Sequence, residues 1–300
     1  MKWLLALACG VLAALPALVR ADDASGWSVS PAGRTIFKRF TEAPYPYASR
    51  AQGHSYDGKT FDFANHYNDN TVGLFVPSGF TPAAQGVDFI VHFHGWNNHV
   101  ARVLDFYRLR EQVEASGVNA VLVVPQGPYD APDSDDGKLQ HEPGAFAALL
   151  AEVADFLQEQ GVIRKSAVRS VVLTAHSGGY QGLSAVLKIG GDSTLVTDVA
   201  LFDAAYGNLD GFAGWLETGV DHRLVSLFTD DTISGNVELL SMLQAQASTS
   251  RVLMQTGLTR AVLNLRGGTF VYTPDIPHDE IMQRLDYYEL FLATSALPRR

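Results

Sequence analysis

Cysteine is almost absent. Cys9 is the single one among 300 residues, and it lies in an N-terminal stretch that reads as a removable leader. Lys2 opens that stretch, Trp3 to Val19 is apolar with Pro16 as a break, and Val19-Arg20-Ala21 offers a small-x-small cleavage site before Asp22. The run is short and is followed by polar sequence, which marks a secretory signal peptide over 1–21 rather than a membrane anchor. Leu7-Ala8-Cys9-Gly10 faintly resembles a lipoprotein processing site, but the apolar run before Cys9 is too short and continues past it. The expected mature chain, 22–300, then has no thiol, which excludes disulfides, a cysteine nucleophile and a cysteine-based zinc site.

Positive charge is also scarce. Lys and Arg number 22 against 32 Asp and Glu, a formal charge of -10. Loss of Lys2 and Arg20 with the leader leaves 20 basic residues against the same 32 acids, or -12. Nucleic acid and anionic membrane both demand Lys/Arg to neutralise phosphate, so neither is an expected partner. No second apolar run approaches the length of a bilayer span, so no membrane anchor is expected. Repeats and low-complexity linkers are lacking, and one domain over 22–300, secreted or periplasmic, is the simplest account. The oligomeric state is open.

What is present is alternation. Short apolar runs at Thr71–Val76, Val87–Phe93, Ala120–Pro125, Val168–Thr174, Val199–Phe202, Arg223–Phe228 and Thr269–Tyr272 read as strands. Helical periodicity separates them at Val100–Ala115, Gly144–Gln160, Tyr180–Ile189, Phe212–Glu217, Val237–Gln246 and Glu280–Ala293. Strands apolar throughout and divided by helices predict an α/β fold, a mostly parallel sheet with helices on both faces and no large cap domain. Residues 22–70 are less regular, with an edge strand expected over Arg34–Phe40.

In such a sheet, functional groups gather beyond the C-terminal ends of the strands. Those ends carry His94-Gly95-Trp96, the acidic loop Gln126 to Gly144, Ala175-His176-Ser177-Gly178-Gly179, Asp203, Asp230-Asp231 and Pro277-His278-Asp279. The sharp corner at Ser177, between a β-rich run and a helix, resembles the Gly-x-Ser-x-Gly elbow of the α/β-hydrolase family, with Ala175 in the first glycine position. The order nucleophile, acid, histidine along the chain and an upstream His-Gly also match, and the resemblance covers roughly residues 70 to 295.

The resemblance implies a serine hydrolase, esterase-like, with a small-molecule acyl substrate. Ser177 would attack, His278 would take and return the proton, and a buried carboxylate would orient the imidazole. Asp203 is the preferred acid because it ends an apolar strand abruptly; Asp230 is the alternative, although Asp230-Asp231-Thr232 also reads as a solvated loop before a helix. The oxyanion hole falls to backbone N–H groups of Gly178 and of Gly95 or Trp96. No cofactor and no metal is expected.

Plainer readings stand beside these. The plainer reading of His278 is a mere cap of the last helix, secondary to its role as base, and His176 reads as a packing residue turned away from Ser177. His92 and His94 alternate onto one strand face, which leaves a metal-dependent hydrolase as an alternative; a non-catalytic binding protein on the same fold is another. Asp130, Asp133, Asp135 and Asp136 read as a solvated acidic loop, and Trp96, Tyr180 and Tyr206 as either pocket lining or packing.

Overall fold

The computed structural model describes residues 26–300. The leader assigned to residues 1–21 lies outside the described residues. Twelve strands form: β1 (Ser28–Ser30), β2 (Gly33–Arg39), β3 (His54–Tyr56), β4 (Lys59–Phe61), β5 (Thr71–Pro77), β6 (Val87–Phe93), β7 (Val121–Pro125), β8 (Val168–His176), β9 (Val196–Phe202), β10 (Arg223–Phe228), β11 (Ser250–Met254) and β12 (Gly267–Tyr272). Ten of them make one sheet in the order β1-β2-β5-β7-β6-β8-β9-β10-β12-β11, while β3 and β4 pair as a separate hairpin. From β7 to β11 every pairing is parallel; β1, β2 and β5 add antiparallel strands at one side.

The parallel strands are apolar because both of their faces are covered. In β6, Val87, Phe89, Val91 and Phe93 enter one core and Ile90 the other. The first core is closed by helices Ala145–Glu159, Tyr180–Ile189, Leu209–Glu217 and Ile233–Ala245. The second is closed by Val100–Phe106, Leu109–Ser116 and Tyr287–Leu292. Below the sheet's far end, the fully buried Arg223 pairs with Asp198 at 2.6 Å and donates to the carbonyls of Leu263 and Phe291 and to Thr294 Oγ1. Such a buried ion pair is tolerable because both Nη groups find acceptors, and it ties β9 and β10 to the chain's last helix. No helix among the described residues is long and apolar enough to cross a membrane.

Two expected helices divide. Val100–Ala115 breaks at Arg108, which takes φ +51° between Val100–Phe106 and Leu109–Ser116. The break turns Tyr107 and Leu109 into the core together. Glu280–Ala293 becomes 3-10 turns at His278–Glu280 and Arg284–Asp286 followed by a short helix, Tyr287–Leu292. Positive φ at Leu285 and Asp286 lets Ile281 and Met282 reach the same core as Tyr288 and Phe291, which one straight helix could not do.

Candidate active site

β8 ends at His176, and the next residue, Ser177, has φ +53° before the chain enters helix Tyr180–Ile189. A non-glycine residue in the left-handed region costs about 1–2 kcal/mol and persists only where its surroundings over-determine it. Here they are crowded. A Cβ on Gly179 would lie 2.3 Å from the Phe93 carbonyl oxygen, one on Gly178 2.6 Å from Trp96 Cδ1, and one on Gly95 2.7 Å from Ser177 Cβ. Ala175 is tolerated because its methyl points into the first core from within β8. The loop after β6 and the elbow after β8 therefore meet backbone to backbone around Ser177, where Gly95, Trp96 and Gly178 were expected to act.

His94 clamps that loop. Its Nε2 accepts from the Gly127 N–H at 3.0 Å and faces the Gln126 amide at 3.1 Å. A backbone N–H only donates, so Nδ1 carries the proton and gives it to the Gly95 carbonyl at 2.9 Å. Burial pushes the His94 pKa down to about 4, so the ring is neutral. His92 lies elsewhere, bonded through Nδ1 to Thr174 Oγ1 at 2.9 Å and edge-on to Tyr288. The metal-site alternative on His92 and His94 is thus corrected: both nitrogens of His94 are occupied by the protein. Among the described residues the groupings able to hold an ion involve His278 with its acidic neighbours or His176, and neither includes His92 or His94.

Asp203 follows β9 at φ +47° and is fully buried. Its Oδ2 accepts from His278 Nδ1 at 2.7 Å and from Thr229 Oγ1 at 2.5 Å. Its Oδ1 accepts from the Thr229 N–H at 3.0 Å and from Thr232 Oγ1 at 2.6 Å. Burial alone would raise its pKa, but the hydrogen bonds from His278, Thr229 and Thr232 outweigh it and hold the carboxyl below its ordinary value. For His278 burial alone would lower the pKa; the bond and charge of Asp203 prevail and hold it above the ordinary imidazole value. Asp230 instead accepts from the Tyr272 hydroxyl, and Asp231, mostly exposed, stays 3.8 Å from His278 Nδ1. With Nδ1 given to Asp203, Nε2 is the nitrogen open to a moving proton. Among the described residues Ser177 Oγ makes no hydrogen bond, to His278 or to any other group.

A cavity of about 230 Å³ opens at Ser177, lined by Trp96, Ser134, Ser177, Gly178, Tyr180 and Tyr206. Trp96 Nε1 donates to Ser134 Oγ at 2.7 Å, and Tyr56 of the β3–β4 hairpin packs edge-on against the indole at 5.1 Å. Tyr206 lies between Tyr180 and His278, with ring centroids at 6.0 and 6.3 Å. The three aromatics therefore line a pocket.

The acidic loop differs from expectation. Asp133, Asp135 and Asp136 are buried rather than solvated. Arg50 holds Asp133 through two bonds, and Asp135 accepts from Tyr45, Ser49, His141 and the Gly137 N–H. Burial, with the neighbouring charges of Asp135 and Asp133, pushes the Asp136 carboxyl well above its ordinary range. This internal polar frame is what holds Ser134 at the cavity wall. Tyr45, Ser49 and Arg50 come from a distant part of the chain, so composition of the loop alone could not reveal the frame.

No protein-family model matches the chain, and no curated protein matches it by sequence. Solved structures do match by shape. A mutant of the feruloyl esterase module from Clostridium thermocellum, complexed with sinapinate, superposes with TM-score 0.55 at 12% identity over 91% of this chain and 92% of that one. A ferulic acid esterase from the anaerobic fungus Anaeromyces mucronatus gives TM-score 0.52 at 11% identity over 94% and 96%. An S-formylglutathione hydrolase from Agrobacterium tumefaciens gives 0.50 at 11% over 88% and 97%. The chain has the α/β-hydrolase fold: a mostly parallel sheet flanked by helices, with the elbow serine beyond a central strand.

Proposed function

We propose that the chain is an exported serine hydrolase that cleaves a carboxylic ester or related acyl bond through an acyl-enzyme on Ser177. The observation that carries this reading is the conjunction of a left-handed Ser177 at the strand–helix corner with an imidazole whose Nδ1 is held by the buried Asp203. His278 Nε2 takes the Ser177 proton as Oγ attacks the acyl carbon. The tetrahedral oxyanion is received by backbone N–H groups of Gly178 and of Gly95 or Trp96, each donor contributing about 3 kcal/mol to lowering the barrier. Collapse expels the alcohol, which leaves with the proton from His278. Water then repeats the sequence with the acyl-enzyme and frees the acid.

Export rests on the leader-like residues 1–21. The aromatic walls and modest volume of the cavity favour a compact, ring-bearing substrate group, and the likeness in fold to a feruloyl esterase and a ferulic acid esterase agrees with ester hydrolysis. The test is covalent labelling with a fluorophosphonate followed by peptide mapping. One equivalent on Ser177 is expected, and abolished by Ser177→Ala. Folded protein that takes no label, or takes it elsewhere, returns the chain to the non-catalytic binding reading.

A further inference from the structure

His176 is spent on none of the steps above, yet it lies against the base. Its ring is buried and stands 4.7 Å from that of His278, centroid to centroid. His176 Nε2 is 3.0 Å from the backbone carbonyl oxygen of His278. A carbonyl only accepts, so Nε2 carries the proton. Nδ1 is then a bare acceptor, and the Tyr107 hydroxyl donates to it at 3.1 Å. Tyr107 is itself buried at the break between two helices. A single directed chain results, from the Tyr107 hydroxyl through the His176 ring to the His278 main chain.

We propose that His176 is a positioning residue for the catalytic base: it fixes the main chain of His278 while Asp203 fixes the ring. The inference rests on the role given to Ser177 and His278 above. Two anchors are needed because they constrain different things. Asp203 sets which nitrogen bears the proton and how the imidazole is rotated, but the base rides on an irregular segment, Thr273 to Ile281, outside any strand or long helix. Thr273 is bonded to the Phe228 carbonyl and Ile276 and Ile281 pack in the second core, but the bond from His176 is the one that holds the main chain of His278 itself at a set distance from the elbow. His176 supplies it from the residue directly before Ser177, so nucleophile and base are referenced to adjacent positions of one rigid strand end.

The test uses the full mature chain with His176→Ala, His176→Gln and Tyr107→Phe, assayed on p-nitrophenyl acetate and by the rate of fluorophosphonate inactivation. A misplacement near 1 Å typically costs about 100-fold, so His176→Ala should lower kcat and the inactivation rate together by about that factor, with KM within about threefold. Glutamine can donate from its amide nitrogen to the His278 carbonyl and accept from Tyr107 through its oxygen, so His176→Gln should recover at least about tenfold of the loss. Tyr107→Phe should lower kcat by a smaller factor with KM unchanged. A merely structural role predicts no such rescue and no split between kcat and KM. Glutamine no better than alanine, or alanine with kcat within threefold of wild type, overturns the inference; if the alanine variant does not fold, the glutamine and Tyr107→Phe variants decide it. Wild-type protein that fails to label at Ser177 would instead refute the underlying hydrolase reading.

Discussion

If Ser177 and His278 act as proposed, replacing Asp203 with asparagine should disable the base without unfolding the site, and the hydrogen-bond pattern says why. The carboxylate accepts two bonds at each oxygen. Asparagine can place its NH₂ at only one of those positions. At the Oδ1 position the NH₂ would face the Thr229 backbone N–H, a donor that cannot reverse. At the Oδ2 position it would face Thr229 Oγ1, a hydroxyl that can rotate to accept, and His278 Nδ1. The amide is therefore driven to turn its NH₂ toward the imidazole. Nδ1 must then accept, the ring proton moves to Nε2, and Nε2 can no longer take a proton from Ser177. An acid-to-amide change with this consequence costs about 10⁴-fold in kcat in a known serine protease, which is about 5.4 kcal/mol of barrier. The buried polar groups stay satisfied, so the thermal midpoint should move little. Asp230→Asn removes only a surface charge and keeps an amide oxygen to accept from the Tyr272 hydroxyl, so it should leave kcat within about threefold. Steady-state hydrolysis of an aryl ester, with melting curves for each variant, is the assay. Asp203→Asn within tenfold of wild type, or a large loss in Asp230→Asn, would refute the reasoning.

Two further outcomes follow from the same geometry. His278 must be neutral to act and is held above the ordinary imidazole value, so kcat/KM should rise with pH through an apparent pKa above 6.5, read from a pH–rate profile; a limb at or below 6.5 contradicts the Asp203 coupling. Gly179→Ala places a methyl carbon 2.3 Å from the Phe93 carbonyl oxygen, which only backbone movement can relieve. It should lower the unfolding free energy in urea by about 3 kcal/mol, and a neutral result would mean the elbow is not pinned against β6.

The strands were legible because their burial leaves no room for polar residues. β6 and β10 run over the expected spans, and helix Tyr180–Ile189 does as well. β11 leaves little sequence signal because it is a half-exposed edge strand, Ser250-Arg-Val-Leu-Met254, without the unbroken apolar run of its neighbours. The β3–β4 hairpin did carry a signal, Asp57-Gly58 with both residues at positive φ, the chemistry of a two-residue hairpin turn. The residues of the candidate site could be drawn together from chain order, since each lies in the segment that follows the C-terminal end of a parallel strand. Their supports could not. Arg50 on Asp133, Tyr107 on His176 and Gln126 on His94 join segments far apart in the chain, and no local periodicity records them. The break at Arg108 has the same origin, because the burial of both Tyr107 and Leu109 overrides the helical pattern through them.

The site's chemistry depends on sorting its histidines. His94, His176 and His278 share residue type, and His176 and His278 share a ring contact at 4.7 Å, yet only His278 is equipped to take up a second proton and become charged. His94 and His176 are buried and bonded to backbone groups and uncharged side chains, and burial carries both down to about 4. His278 is partly open to solvent and alone among them has a buried carboxylate at hydrogen-bond distance. Two imidazolium ions in contact would repel, so neutrality at His176 is a condition for charge at His278, not a separate fact about the core. The opposed tautomers, proton on Nδ1 in His94 and on Nε2 in His176, follow from which nitrogen meets a carbonyl. On the proposed mechanism the same imidazole serves as a rigid link where burial keeps it neutral and as a base where Asp203 lets it charge, the environment assigning each role.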